Sequence, residues 1–300
     1  MNKNFISILD ISKSEILNLF QTANKGRKIF SEYSNALKKK VLGSLFFQPS
    51  TRTQLSFQSS FVRLGGNYIG FSDINESRSG PPYFEPIDDL GKIASLYCDV
   101  IVMRTIDQNI MSEICSTATV PIISAGSGNV EHPTQTLTDL FTIQRCLGDI
   151  SNNNILIIGT PRQRTINSFL IGLTYWDNIT IHILCQEGVC ISSQVKELAQ
   201  KHPIKYYNTI EQLLDANVIP SISILYIDKI FYETEKNNRF VMNQKQWDLF
   251  SKNLIILHPL PRTNELPKFV DNMPQAKYFF QAENGLFMRS ALYLHLFNLI

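Results

Sequence analysis

Short apolar runs alternate with longer amphipathic stretches along most of this chain. Val41 to Phe47 is a mostly apolar run, the mark of a buried strand. Pro49 ends it, because proline cannot donate to a ladder. Ser50 is placed to cap a helix whose apolar positions are Leu55, Phe57, Phe61 and Leu64 and whose end is Gly65. The same alternation repeats. Predicted strands are Asn67 to Phe71, Asp99 to Arg104 and Val120 to Ala125, with helices Ile87 to Tyr97 and Ile110 to Ala118 between them. An earlier helix spans Ser12 to Tyr33. A long helix from His132 to Leu147 leads to a polar break at Ser151 to Asn154. A second alternation then begins. Its strands are Ile155 to Gly159, Ile179 to Leu184, Ile204 to Tyr207, Ser223 to Ile227 and Leu254 to Leu257. Its helices are Thr165 to Tyr175, Val195 to Lys201, Ile210 to Ala216 and Asn243 to Lys252, and Leu286 to Ile300 closes the chain. Strand–helix alternation predicts parallel sheets with crossover helices. The expected class is α/β, with two doubly wound parallel-sheet domains joined near residues 130–150.

Composition narrows this little. The 300 residues suit two domains, and 44% hydrophobic with 18% charged residues describes an ordinary globular chain. A net charge of +2 gives no footprint for nucleic acid or a membrane surface, so affinity for anions has to be local. The five cysteines lack C-x-x-C spacing and mostly sit in apolar runs, which suggests free buried thiols. With no secretory h-region and no span-length apolar run, the expected location is the cytoplasm. Gly126-Ser127-Gly128 lacks the third glycine of a dinucleotide loop and is read as a turn.

In open parallel sheets, ligands bind beyond the carboxyl ends of strands. The polar signals fall there. Ser50-Thr51-Arg52-Thr53 opens a helix, where free N–H groups and the dipole favour phosphate, and Arg52 adds a fixed cationic fork. Arg104 ends the next buried strand. His132-Pro133-Thr134-Gln135 starts a helix, Arg162-Gln163-Arg164 follows Gly159, and His258-Pro259-Leu260-Pro261-Arg262 follows Leu257. Each alone has a dull explanation as a cap or a solvated charge. Five at one edge of the expected architecture do not. The other histidines, His182, His202 and His295, are read as structural. Arg262 is open between substrate binding and bridging the two domains.

These segments, with Gln281-Ala282-Glu283-Asn284-Gly285-Leu286-Phe287, stand in the order of the aspartate/ornithine transcarbamoylase family, which the chain resembles from residue 47 to the C-terminus. His-Pro-Thr-Gln, and Leu-Pro before Arg262, resemble the aspartate branch; the cysteine expected of the ornithine branch is not in the last motif. The resemblance implies a carbamoyl phosphate-binding domain of residues 1–131 plus 286–300 and an aspartate-binding domain of residues 132–285. It implies transfer of the carbamoyl group of carbamoyl phosphate to the amino group of L-aspartate, a step of pyrimidine biosynthesis. Ser50, Thr51, Arg52, Thr53 and Arg104 would hold the phosphate, and Thr53, Arg104 and His132 would face the carbonyl oxygen. Gln135 and the Leu260 carbonyl would accept from the carbamoyl amide. Arg164 would bind the α-carboxylate, beside Lys229 and Pro261. No metal, cofactor or covalent intermediate is implied. A homotrimer with shared active sites is, and regulatory chains or dihydroorotase stand open as partners.

Two stretches depart from the family pattern. The loop that would enter a neighbour's site aligns Ser79 with the family's serine but Tyr83 with its lysine, and Pro81 and Pro82 stiffen it; Arg78 is a displaced candidate cation. After Leu225-Tyr226, Lys229 stands where the family has an arginine for the aspartate side chain, and Phe231 where it has a glutamine. Lysine keeps the charge but loses the bidentate geometry. A carbamoyltransferase for a different amine, or a non-catalytic trimeric scaffold, are the alternative readings.

Overall fold

The computed structural model describes residues 4–80, 83–230 and 240–300; Pro81, Pro82 and Phe231 lie outside them. In chain order the elements are α1 (Lys13–Ala23), α2 (Lys28–Glu32), β1 (Val41–Phe46), α3 (Thr51–Arg63), β2 (Asn67–Phe71), α4 (Ile87–Tyr97), β3 (Val100–Thr105), α5 (Gln108–Thr117), β4 (Ile122–Ser127) and α6 (Pro133–Leu147). There follow β5 (Asn154–Ile158), α7 (Arg164–Leu173), β6 (Thr180–Leu184), α8 (Ser193–Leu198), β7 (Ile204–Tyr207), α9 (Ile210–Asp215), β8 (Ile224–Ile227), α10 (Gln244–Trp247), β9 (Ile255–Leu257) and α11 (Tyr278–Leu296). The chain forms two compact units, Met1–Thr138 with Glu283–Ile300, and Asp139–Ala282, so that α6 and α11 each run through a boundary.

The first unit carries a four-stranded sheet in the order β2-β1-β3-β4, the second a five-stranded sheet in the order β7-β6-β5-β8-β9. Every pairing within these sheets is parallel, as the strand–helix alternation predicts. Leu45, Ile101, Met103, Met111 and Ile114 fill one core of the first unit. Leu156, Leu225, Ile256 and Trp247 belong to the core of the second. In each sheet the order reverses once, between β1 and β3 and between β5 and β8. There the helices leave in opposite directions and open a crevice at the carboxyl edge. No helix among the described residues is long and apolar enough to cross a membrane.

Three helices differ from the sequence expectation. Ser12 to Tyr33 is broken into α1 and α2, with Gly26 between them in a left-handed conformation (φ 56°). Helix α10 is one turn, closed by a capping box between Asn243 and Gln246. Helix α11 starts at Tyr278, eight residues before the expected Leu286, because Gln281 and Asn284 are helical yet buried, and polar residues on a buried face hide the apolar period.

Strand β2 lies at a sheet edge and depends on a glycine. Gly70 has φ 142°, and a Cβ there would stand 2.1 Å from the Ser44 carbonyl oxygen on β1. Gly148, also at positive φ (80°), has no atom within 4 Å of such a Cβ. Gly70→Ala is expected to cost about 3 kcal/mol or more by displacing β2 from the sheet. Gly148→Ala should cost only the roughly 1–2 kcal/mol of a left-handed alanine. Denaturant unfolding of the two variants checks the difference, and equal costs would contradict it.

Candidate functional site

In the first unit the candidate groups gather at the β1/β3 reversal. The strand tips are in register, Phe46 opposite Arg104, and the Phe47 amide donates to the Arg104 carbonyl at 2.9 Å. Ser50 stands at the cap of α3 in extended conformation but makes no side-chain capping bond. Its hydroxyl instead accepts from Arg104 Nη1 at 2.8 Å. This departs from the capping role its position suggests, and it matters. The first-turn N–H groups of the 13-residue helix α3 are left for another acceptor, while the guanidinium is fixed beside them. Thr51 and Arg52 are exposed at this turn and Thr53 is buried beneath it. The arrangement offers backbone N–H groups, hydroxyls and two permanent cations within one turn of a helix, which suits a multiply charged oxyanion.

His132 is buried immediately before α6, its Nδ1 3.4 Å from the Thr134 hydroxyl, and Gln135 lies half-buried in the first turn. Of the loop candidates, Ser79 is buried and donates to Glu85 at 3.3 Å, while Arg78 and Tyr83 are exposed, the guanidinium 4.9 Å from the ring centroid. The loop's cation is thus held on an aromatic face.

In the second unit the β5/β8 reversal does the same work. Arg164 is the first residue of α7, and the Asp228 amide, just past β8, donates to the Ile158 carbonyl at 2.9 Å. Asp228 is buried. One of its carboxylate oxygens accepts from the Thr165 hydroxyl and the other from the Lys229 amide at 2.6 Å. Burial pushes the Asp228 carboxyl above the usual aspartate value, against those two bonds. Burial likewise lowers the Arg164 pKa, and the Asp228 charge counters it. A guanidinium stays charged all the same, so Arg164 is a partly desolvated cation suited to a carboxylate. Arg162 points elsewhere: its Nε donates to the Cys190 carbonyl at 3.3 Å.

Beyond β9, Leu260 adopts a left-handed conformation (φ 57°) before a cis bond to Pro261. Its amide donates to His258 Nδ1 at 2.8 Å, and His258 Nε2 meets Glu265 Oε1 at 3.1 Å. An imidazole whose Nδ1 accepts a backbone N–H donates from Nε2, so His258 donates to Glu265. The His258 amide is in turn taken by Gln281 Oε1 at 2.9 Å, and Gln281 Nε2 donates to the buried Asp139 at 2.6 Å. Tyr226 on β8 also donates to Asp139, at 3.1 Å. Arg262 is paired with Asp271 and the Tyr278 hydroxyl, all inside the second unit. These bonds hold the Asp271 carboxyl at about 2. His182 and His202 serve packing, bonded to the Tyr207 hydroxyl (3.0 Å) and the Leu173 carbonyl (3.1 Å). Sequence reading missed Asp228, Glu265 and Asp139. Only Asp228 had a visible signal, an acid at the tip of the apolar run Ile224–Ile227.

Residues 3–145 match the family described as aspartate/ornithine carbamoyltransferase, carbamoyl-P binding domain, and residues 151–296 its Asp/Orn binding domain. An aspartate carbamoyltransferase catalytic subunit of Azobacteroides pseudotrichonymphae is 37% identical, with 97% of each chain covered. That of Clostridium novyi is 36% identical over 97% of this chain and 96% of its own. Among solved structures, aspartate transcarbamoylase of Trypanosoma cruzi with N-(phosphonacetyl)-L-aspartic acid has a TM-score of 0.89 at 29% identity, covering 97% of this chain and 95% of that one. The catalytic subunit from M. jannaschii has a TM-score of 0.87 at 31% identity, covering 99% and 98%.

Burial would raise the Glu265 carboxyl, but the bonds from His258 and Thr263 outweigh it and hold the group at about 2, below its ordinary 4.5. A carboxylate depressed in this way stabilises the fold above its unfolded value, and the gain is lost as pH falls toward the folded one. Glu265→Gln should therefore cost roughly 3 kcal/mol at neutral pH. The gap from wild type should close between about pH 4.5 and pH 2. Chemical unfolding of both proteins over that range tests it, and a gap that persists at the acid end would refute the assignment.

Proposed function

Because the chain belongs to the aspartate/ornithine carbamoyltransferase family, we propose that it transfers the carbamoyl group of carbamoyl phosphate to the amino group of L-aspartate. The products are N-carbamoyl-L-aspartate and phosphate. The observation that carries this reading is the Arg104–Ser50 bond of 2.8 Å at an α3 N-terminus whose cap residue makes no side-chain capping bond. It is a preformed seat for a phosphoryl group.

On this reading, Ser50, Thr51, Arg52, Thr53 and Arg104 hold the phosphate, and the first unit is the carbamoyl phosphate domain. Thr53, Arg104 and His132 face the carbonyl oxygen. The amine attacks the carbonyl carbon, negative charge grows on that oxygen, and donors fixed there stabilise the transition state more than the ground state. The phosphate leaves with its charge already matched by the arginines. Gln135 and the Leu260 carbonyl accept from the carbamoyl amide. The His258–Glu265 pair supports this role by fixing the left-handed Leu260. In the second unit, Arg164, Lys229 and Pro261 take the amino acid, with Arg164 on its α-carboxylate.

The protein acts as a cytoplasmic homotrimer with shared sites. An exposed apolar face supports the association. Edge strand β2 shows Tyr68 and Ile69, each nearly half exposed, and α4 shows Leu96 at 75% and Tyr97 at 63%. A cavity of about 190 Å³ lined by Leu45, Ile69, Phe71, Leu90 and Ile93 lies between them. Such a face, unusual on a monomer, is expected to be covered. Arg78, carried by the exposed loop, is the cation this chain offers a neighbouring site in place of the lysine.

The test is a steady-state assay of carbamoyl aspartate and phosphate formation, with a panel of other amino acids as acceptors. Aspartate is expected to be turned over best; a better acceptor would replace this reading, and failure to bind carbamoyl phosphate would leave only a scaffold. Arg52→Ala or Arg104→Ala should lower kcat about 100-fold or more, the usual cost of a lost oxyanion donor. Lys229→Ala, removing a charge-assisted bond of roughly 1.5–3 kcal/mol, should raise the aspartate KM about tenfold or more. Unchanged kinetics in these variants would remove the residues from their roles.

A further inference from the structure

Asp228 has no place in the chemistry described so far, yet it is bonded to the residue after one cation of the amino-acid half-site and to the backbone of the other. Its carboxylate spans the β5/β8 reversal. Thr165, the neighbour of Arg164, bonds one oxygen, and the Lys229 amide bonds the other. Its Cβ is packed so closely against the end of β5 that a Cβ on Gly159 would stand 3.3 Å from it. The residue is 7% exposed. Among the described residues, the other titratable or charged groups within its reach are Arg164 on α7, Tyr226 and Lys229 on its own strand and the turn after it, and His258 with Glu265 beyond β9. His258 is bonded to Glu265, and Tyr226 is tied to Asp139. Arg164 is a cation whose ionisation responds to the Asp228 charge, and His258 also opposes the effect of burial on Asp228.

We propose that Asp228 is a specificity-determining residue of the amino-acid half-site, taking up a proton from solvent when an acceptor carboxylate occupies Arg164 and releasing it when that carboxylate leaves. The inference rests on the aspartate-binding reading above. A substrate carboxylate on Arg164 places a second anion against one partly desolvated guanidinium. Two carboxylates confined to such a site do not both stay ionised without cost, and the one already disfavoured by burial is Asp228. The proton stays within the carboxyl group, which can donate to Thr165 while still accepting from the Lys229 amide. The sign follows. Ligand raises the proton affinity of Asp228, so binding takes up a proton and weakens as pH rises past the free-state value. Deprotonation of the attacking amine runs the other way with pH. The two trends together confine efficient turnover to a band.

Asp228→Asn keeps both hydrogen-bonding positions and removes the titration. Aspartate KM is measured from pH 6 to 9 for wild type and variant. Aspartate is also titrated calorimetrically onto the phosphate-saturated protein in two buffers of different ionisation enthalpy. Wild type should show KM rising by up to about tenfold per pH unit at the alkaline end, with uptake of a fraction approaching one proton. The variant should lack that alkaline rise, with a KM about three- to tenfold below wild type at the highest pH, and should show no such uptake beyond that due to phosphate. Equal proton uptake in the two proteins, or parallel KM profiles, overturns the proposal. If another amino acid proves the better acceptor, the aspartate reading fails by itself, and the same titration with that amino acid still decides whether Asp228 is the group that binds the proton.

Discussion

The second unit is organised around a buried carboxylate. Asp139 is fully enclosed on α6 and accepts from Tyr226 on β8 and Gln281 on α11. An enclosed charge without donors would be severely destabilising. Three elements distant in sequence must therefore hold their positions for it to be tolerated. Gln281 passes the constraint on, since its amide oxygen takes the His258 backbone N–H, and His258 then orients Leu260 and Glu265. The aromatic stack of Tyr226 on Phe169, centroids 4.6 Å apart, fastens α7 to the same strand. Loop residues assigned to substrate are thereby fixed by a polar network inside the fold rather than by the loop's own conformation.

The first unit solves its problem with backbone. The register of β1 with β3 brings the start of α3 alongside Arg104, and one side-chain bond to Ser50 finishes the arrangement. Comparing the two units shows one device used twice: a parallel sheet whose order reverses, with a helix starting at the reversal and an arginine close by. On the proposed reading, phosphate is met by N–H groups and two cations. On the same reading the amino acid is met by Arg164 and Lys229, and Asp228 is bonded to the Thr165 hydroxyl and the Lys229 amide.

Much of this was legible in the sequence, for identifiable reasons. The buried strands, such as β3, β5 and β8, announced themselves as apolar runs, because strands covered on both faces leave little room for polar residues, while the edge strands β2 and β7 were placed by the alternation around them. The carboxyl-edge rule then singled out Ser50 to Thr53, Arg104 and Arg164 without any coordinates. What stayed hidden was pairing. Ser50 looks like a cap from its spacing, and only the fold reveals that Arg104 claims its hydroxyl. Glu265 and Asp139 lie at no motif spacing from the groups they bond, so no local pattern could reveal them. The early start of α11 was masked by Gln281 and Asn284, whose polarity reads as surface although both are buried.

The two reversals also bear on how such a protein changes over generations. Each crevice belongs to a different sheet and is shaped by its own strand tips. On the proposed reading, a replacement at the end of β8, such as Lys229 for the family's arginine, bears on the acceptor side and leaves the donor's seat at β1 and β3 untouched. A lineage can thus drift in one preference without first surrendering the other.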